Sequence, residues 1–284
     1  MRDEILNRMG EKGNIPPLPD ILIRLEAKID DPSGELDDIA QLIETEPILA
    51  GRLLALSNSV FFGAGREKIL SLKGAVLRLG LKLVLDLAYT LELPRIFSGV
   101  GPFRQDKFWK HSLAVGVLSR HIAGSWDPER RVGEQAYLAG LMHDIGILVF
   151  YFLIPKEYKK FLKDIQEQEL PLEMLERETF GICHAELGSG FIKKWWPLDA
   201  EVVEAVGRHH QTLDPAKDQD MIVAAVNLSN AMANAHDWRV GLGNPGDALN
   251  RKFLIAKGMT LESYQEFVEG ARESLKAAQN ILDD

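Results

Sequence analysis

Between Asp20 and Asn234 the apolar residues return every third or fourth position, and stretches that alternate polar with apolar are almost missing. That period belongs to helices packed along one face, so the sequence predicts an all-α protein. Pro16, Pro17 and Pro19 forbid a helix where they stand, and Asp20 is placed to cap the next one, with Leu22, Leu25 and Ile29 inward. The run Asp30-Asp31-Pro32-Ser33-Gly34 ends it. A second helix carries Leu36, Ile39, Ala40 and Ile43. A third starts at Pro47, a residue suited to a first turn, with Leu49, Leu53 and Leu56 on one face. Ser71 opens a fourth, with Leu72, Val76, Leu79 and Leu83 inward. We expect three parts: an N-terminal bundle over 1–101, closing at the Ser98-Gly99-Val100-Gly101-Pro102 loop; a second bundle over 102–247; and a C-terminal helix within 248–284.

The second half puts polar side chains on inward faces. His111 shares a seam with Phe108, Val115, Leu118 and Ile122. The run Leu141-Met142-His143-Asp144-Ile145-Gly146 sits inside a helix expected over about 134–153, where Gly146 permits a close backbone approach. From His184 the residues Leu187, Gly188, Phe191, Ile192 and Trp195 follow along one stripe, so Trp195 reads as core. Asp199 should cap a helix that ends at His209-His210. Asn227, Asn230 and Asn234 share one stripe of a further helix, and asparagine inside a helix needs partners. A His-Asp doublet sets a neutral nitrogen ligand beside an anionic oxygen ligand, a pairing suited to Zn, Mn or Fe. Five of the seven histidines, His111, His143, His184, His209 and His210, thus form a candidate metal cage with Asp144. His121 and His236 lack the pattern and read as surface or packing residues.

The net charge of −9 argues against general affinity for nucleic acid or anionic membranes. Ile145 to Ile154 is too short an apolar run to span a bilayer, and the first residues show no signal-peptide pattern. The single cysteine, Cys183, excludes an internal disulfide and fits a reducing cytoplasm. Lys68, Lys73, Arg78 and Lys82 read as a solvated helix face.

Ordered short motifs then narrow the reading. They are Ile15-Pro16-Pro17-Leu18-Pro19, Glu46-Pro47, Asn58-Ser59 with Phe62-Gly63, and Ser71-Leu72-Lys73-Gly74-Ala75. Trp109-Lys110-His111-Ser112, the His143-Asp144 run, His184-Ala185-Glu186-Leu187-Gly188 and His209-His210 follow. Together this set resembles the HDOD family, a bacterial branch of the HD superfamily. The resemblance implies an N-terminal helical bundle packed on an HD-type bundle, working as a signalling output or regulatory module without demonstrated catalysis. It also implies a protein partner in a signalling pathway and a nucleotide as a second class of ligand.

Catalytic relatives, the HD phosphohydrolases and HD-GYP cyclic-dinucleotide phosphodiesterases, imply roles for particular positions. Their first metal takes a lone His, the His-Asp pair and a later Asp, matching His111, His143, Asp144 and Asn227, with Asn230 where a second acid often follows. A binuclear site adds His184, His209 and His210, with Asp144 between the metals. The lysine after the His-Asp-Ile-Gly run is Ile147 here, and Gln211-Thr212-Leu213-Asp214-Pro215 replaces the Gly-Tyr-Pro signature. The expectation is therefore a degenerate site taking one or two ions of Fe, Mn or Zn, with Asn227 as a neutral oxygen donor. The alternative is a metal-dependent phosphodiesterase or phosphohydrolase acting on nucleotides or cyclic dinucleotides.

Overall fold

The structure is a computed structural model that describes residues 1–11, 17–58, 67–98, 105–127, 132–196, 198–214, 220–242 and 251–282, without the side chains of 251, 252 and 277–282. Most of the described chain is helical and none of it forms a strand: the protein is all-α. Ile15, Pro16, the Ser59 to Gly63 motif and Gly99 to Pro102 lie outside the described residues. The chain divides into two compact units, residues 18–96 with 270–284, and residues 1–17 with 97–269.

The first unit holds α2 (Asp20–Asp30), α3 (Leu36–Glu44), α4 (Pro47–Ser57), α5 (Leu72–Leu79) and α6 (Leu81–Ile96). Leu22, Leu25, Ile39, Ile43, Leu49, Leu53, Leu56 and Val76 form its core, as their periodicity requires. Pro47 opens α4, and the Ser71 hydroxyl caps α5 by accepting from Gly74 N at 3.1 Å. The sequence reading needs two corrections here. Pro19, not Asp20, is the N-cap of α2, and no side chain caps it. The helix begun at Ser71 stops at Gly80, whose φ of +81° suits only glycine, so Leu83 belongs to the next helix and is half-buried. Asn58 ties the end of α4 to the segment leading into α5, donating to Leu54 O and Ile69 O and accepting from Ile69 N.

The second unit contains α1 (Arg2–Gly10), α7 (Gln105–Trp126), α8 (Gly133–Met142), α9 (Ile145–Leu153), α10 (Pro155–Asp164), α11 (Leu172–Phe180), α12 (His184–Trp195), α13 (Ala200–Arg208), α14 (Met221–Ala235) and α15 (Arg251–Ala256). The final helix, α16 (Leu261–Leu282), contributes residues 261–269 to this unit and the rest to the other. Helix α1, which periodicity did not assign, is held by Arg8 donating to Leu153 O and by Trp195 Nε1 donating to Met9 O. That bond leaves Trp195 half-buried, while Trp196 is the buried indole of the pair. Helix α7 packs along α8 and α14, and the crossing of α7 with α8 brings Gly116 and Gly140 together. A β-carbon on Gly140 would lie 2.8 Å from Val115 O. Asp199 sits at the N-cap of α13, but its carboxylate accepts from Gln135 instead of capping. The apolar stretch is longer than Ile145 to Ile154: residues 133–153 have the length and composition of a membrane span, yet 94% of the tested window is buried inside the protein.

Candidate metal centre

The His143-Asp144 doublet interrupts that stretch. It does not lie inside a continuous helix, as the sequence led us to expect, but forms the turn between α8 and α9. The turn aims the start of α9 at the start of α12, where Gly146 and Gly188 cross backbone to backbone. A β-carbon on Gly146 would stand 1.9 Å from His184 O, so only glycine permits the crossing. The crossing brings Asp144 Oδ1 to 3.4 Å from His184 Nε2.

Four helices and their ends supply the remaining rings. His143 Nε2 lies 3.3 Å and His111 Nε2 3.6 Å from Asp144 Oδ2. His184 Nε2 and His209 Nε2 lie 3.4 Å and 3.6 Å from Oδ1. His210 Nε2 is 2.8 Å from His184 Nε2. The carboxylate therefore separates two donor sets: His111 with His143, and His184 with His209 and His210. All of these are buried except half-buried His210. His121 and His236 stand apart, stacked on Phe267 and bonded to the Tyr264 hydroxyl respectively.

Hydrogen bonding fixes which ring nitrogens carry protons. Carbonyl oxygens only accept, so the three Nδ1 atoms facing them must donate. These are His111 to Trp238 O at 2.7 Å, His143 to Gly140 O at 2.8 Å, and His209 to Val206 O at 2.7 Å. In a neutral ring Nε2 then holds a lone pair, and burial keeps the His111 and His209 rings neutral. Burial and the neighbouring His143 push His111 down to about 4, while burial and His210 push His209 to about 3. The Nε2 atoms of His111 and His143 are paired at 3.2 Å. His209 Nε2 is buried without a hydrogen-bond partner. Imidazole nitrogens converging on a carboxylate, one of them buried without a hydrogen-bond partner, are the donor set of a cation site, and the residues fit a divalent transition metal.

Glu176 was not singled out in the sequence. Its fully buried carboxylate accepts from His184 Nδ1 at 2.6 Å, from His184 N at 2.7 Å and from the Tyr158 hydroxyl at 2.5 Å. Burial opposes charge on His184, but Glu176 and Asp144 outweigh it and hold that ring well above its ordinary value. Burial likewise opposes charge on Asp144, and the surrounding histidines override it and hold the carboxyl well below the usual range. A clue was present: Leu172, Glu176 and Phe180 fall on one buried face of α11, and an acid there requires a partner.

Asn227, the expected neutral oxygen donor, uses its amide nitrogen beside the cage. Its Nδ2 donates to His209 O at 2.8 Å and Gln211 O at 3.0 Å, so it clamps the turn that carries the histidine pair. Asn230, one turn along α14, is bonded to His111 and lines the cavity beside the cage. Among the described residues, Asp144 is the sole carboxylate in either donor set.

The HDOD domain pattern matches residues 15–212. The chain belongs to the HDOD family. An uncharacterized protein of Treponema pallidum (strain Nichols) is 26% identical over 217 residues, covering 76% of this chain. The chain spans 42% of that relative's length. Among solved structures, an HDOD domain protein of unknown function from Geobacter sulfurreducens superposes with a TM-score of 0.78 at 24% identity, covering 99% of this chain and 97% of that one. A protein of Marinobacter aquaeolei VT8, named a candidate signal transduction protein, gives 0.74 at 24% identity over 100% of this chain and 66% of that one. A candidate phosphohydrolase of Shewanella amazonensis SB2B gives 0.72 at 18% identity over 96% and 97%. These structural likenesses establish the HDOD fold.

Proposed function

We propose that this HDOD chain is a cytoplasmic signalling output module whose cleft holds one or two divalent ions of Fe, Mn or Zn and works through protein or ligand contacts, not rapid turnover. The observation that carries the reading is the convergence of imidazole nitrogens on Asp144, with His209 Nε2 buried and without a hydrogen-bond partner. His111, His143, His184, His209, His210 and Asp144 would hold the metal, with Asn230, in place of Asn227, as the neutral oxygen donor. A divalent ion there supplies Lewis acidity toward a phosphoryl group. The chain's own residues favour holding over turnover. Asp144 is the one anion in the cage, and buried Ile147 puts a methyl-bearing side chain where the catalytic relatives carry a lysine. The likeness to a protein named for signal transduction accords with a signalling role, and the single buried thiol of Cys183 accords with a reducing compartment.

A second reading, a metal-dependent phosphohydrolase, draws on the position of Asp144 between two nitrogen sets. Metal analysis of the purified protein, followed by a bis(p-nitrophenyl) phosphate hydrolysis assay with added manganese or iron, separates the two. We expect bound metal that disappears in Asp144→Ala, and hydrolysis no faster than background. Turnover abolished by Asp144→Ala would establish the enzyme reading instead. Absence of metal even after manganese is supplied would remove both.

Charge placement gives a finer prediction. Asn230→Asp adds an anion beside His111 and should tighten manganese binding about tenfold, as hard-oxygen sites gain affinity with ligand charge. Asn227→Asp places a carboxylate against two carbonyl oxygens and loses both donated bonds, so it should loosen the His209-His210 turn and weaken binding. Manganese titration of both variants checks the ordering. The reverse order would return the oxygen-donor role to Asn227.

A further inference from the structure

The cavity beside the cage, about 250 Å³, has two chemically unlike linings. His111, Asp144, His184 and His210 supply one. The other comes from the segment after α14, where Arg239 is followed by Val240, Gly241 and Leu242. Arg239 is the one Lys or Arg side chain among the described lining residues. Its Nε donates to Asn234 O, the carbonyl near the end of α14, at 2.6 Å. That bond anchors the stem and leaves a planar guanidinium at the cavity's exposed edge. Such a fork matches two phosphate oxygens at once, which a lysine cannot do.

We propose that Arg239 is the anion anchor of this cavity and that its ligand is a small phosphomonoester, bound with the phosphate between Arg239 and the histidine cage. Three observations converge on it. The cation that relatives place after the His-Asp-Ile-Gly run is missing, and the cavity has acquired one from a different element. Asp144 is the one carboxylate in the donor sets, so a cage loaded with two divalent ions remains net positive even with Glu176 counted, and attracts an anion. The lining Glu173 subtracts one charge from that excess without cancelling it. The cavity also falls below the range of roughly 300–1,000 Å³ for sites enclosing drug-sized ligands. It therefore suits a phosphate with one sugar-sized substituent, not a whole cyclic dinucleotide.

The inference rests on the cleft-binding function above, but its test does not depend on metal alone. Calorimetric titration of the full chain with inorganic phosphate, adenosine monophosphate and cyclic di-guanylate is run with and without manganese, on wild type, Arg239→Gln and Arg239→Lys. We expect phosphate and the monophosphate to bind wild type, and Arg239→Gln to weaken both about tenfold or more. Arg239→Lys should fall between, with manganese affinity equal in all three. Equal phosphate affinity in wild type and Arg239→Gln overturns the assignment, as does absence of phosphate binding in both metal states. Tighter binding of the cyclic dinucleotide than of the monophosphate overturns the ligand class. A wild type that takes no manganese removes the metal reading alone, since the metal-free titration still decides the role of Arg239.

Discussion

Gly146→Ala should unfold the second unit at markedly lower temperature and weaken metal binding in the same stroke. The added methyl would meet His184 O at 1.9 Å, His184 C at 2.7 Å and Gly188 N at 2.9 Å. All three are backbone atoms, so no side chain can swing aside, and the two helices must separate by more than ~1 Å to restore van der Waals contact. Overpacking of well-packed interiors costs about 1–3 kcal/mol, and a backbone-on-backbone clash belongs at or above the top of that range. For a unit of this size about 3 kcal/mol corresponds to a fall in Tm of roughly 6–12 °C. The same separation draws Asp144 away from His184, which is how stability and metal affinity become linked. Thermal denaturation followed by circular dichroism, with manganese titration at 20 °C, checks both. Gly51→Ala serves as the control, because nothing lies within 4 Å of its would-be β-carbon on the exposed face of α4, and alanine there should be neutral or slightly stabilising. If Gly146→Ala matched that control, the helix crossing described here would be wrong.

Glu176→Gln should weaken manganese binding 10- to 100-fold while leaving the apoprotein folded. The amide can still accept one hydrogen bond from His184 Nδ1, so ring orientation survives. What disappears is the negative charge that makes the imidazole a more basic ligand, together with one of three acceptor contacts. Tyr158 sharpens the effect. Burial and the adjacent carboxylate push its phenol well above its ordinary value, so it stays protonated and continues to donate toward position 176. Asp144 is the cage's direct anion, and Glu176 acts one ring further out, partly offsetting the neutral Asn230. Glu176→Asp is the discriminating companion. It keeps the charge and shortens the reach, so it should recover part of the affinity if charge matters and none if only packing matters. Equal manganese affinity in wild type and Glu176→Gln would deny the glutamate any role in ligation.

The inward faces were legible in the sequence because hydrophobic period and histidine position coincide. His111 lies in the seam with Val115 and Leu118, His184 begins a stripe ending at Trp195, and His209-His210 follows the last turn of its helix. Their gathering about Asp144 was expected from those faces and the His-Asp pairing, while the placing of Asp144 between two sets came from the family resemblance. The break at His143-Asp144 was hidden because apolar residues continue on both sides of it, and the redirection is dictated by a backbone crossing with a segment some forty residues away. Helical phase also failed to separate Asn227 from Asn230. Three residues apart, they share a stripe, yet one meets the histidine turn and the other meets His111. Glu176 escaped notice for the opposite reason: Leu172-Glu173-Met174-Leu175-Glu176-Arg177 has the charge density of a solvent-facing helix.

The segment that supplies Asn230, Trp238 and Arg239 lies beyond residue 212, where the recognisable HDOD pattern ends. A chain trimmed to residues 15–212 would retain all five clustered histidines and Asp144, but would lose the carbonyl that sets the tautomer of His111. A change in the downstream stretch can accordingly alter what enters the cleft without touching the pattern by which membership is recognised, so membership alone does not name the ligand.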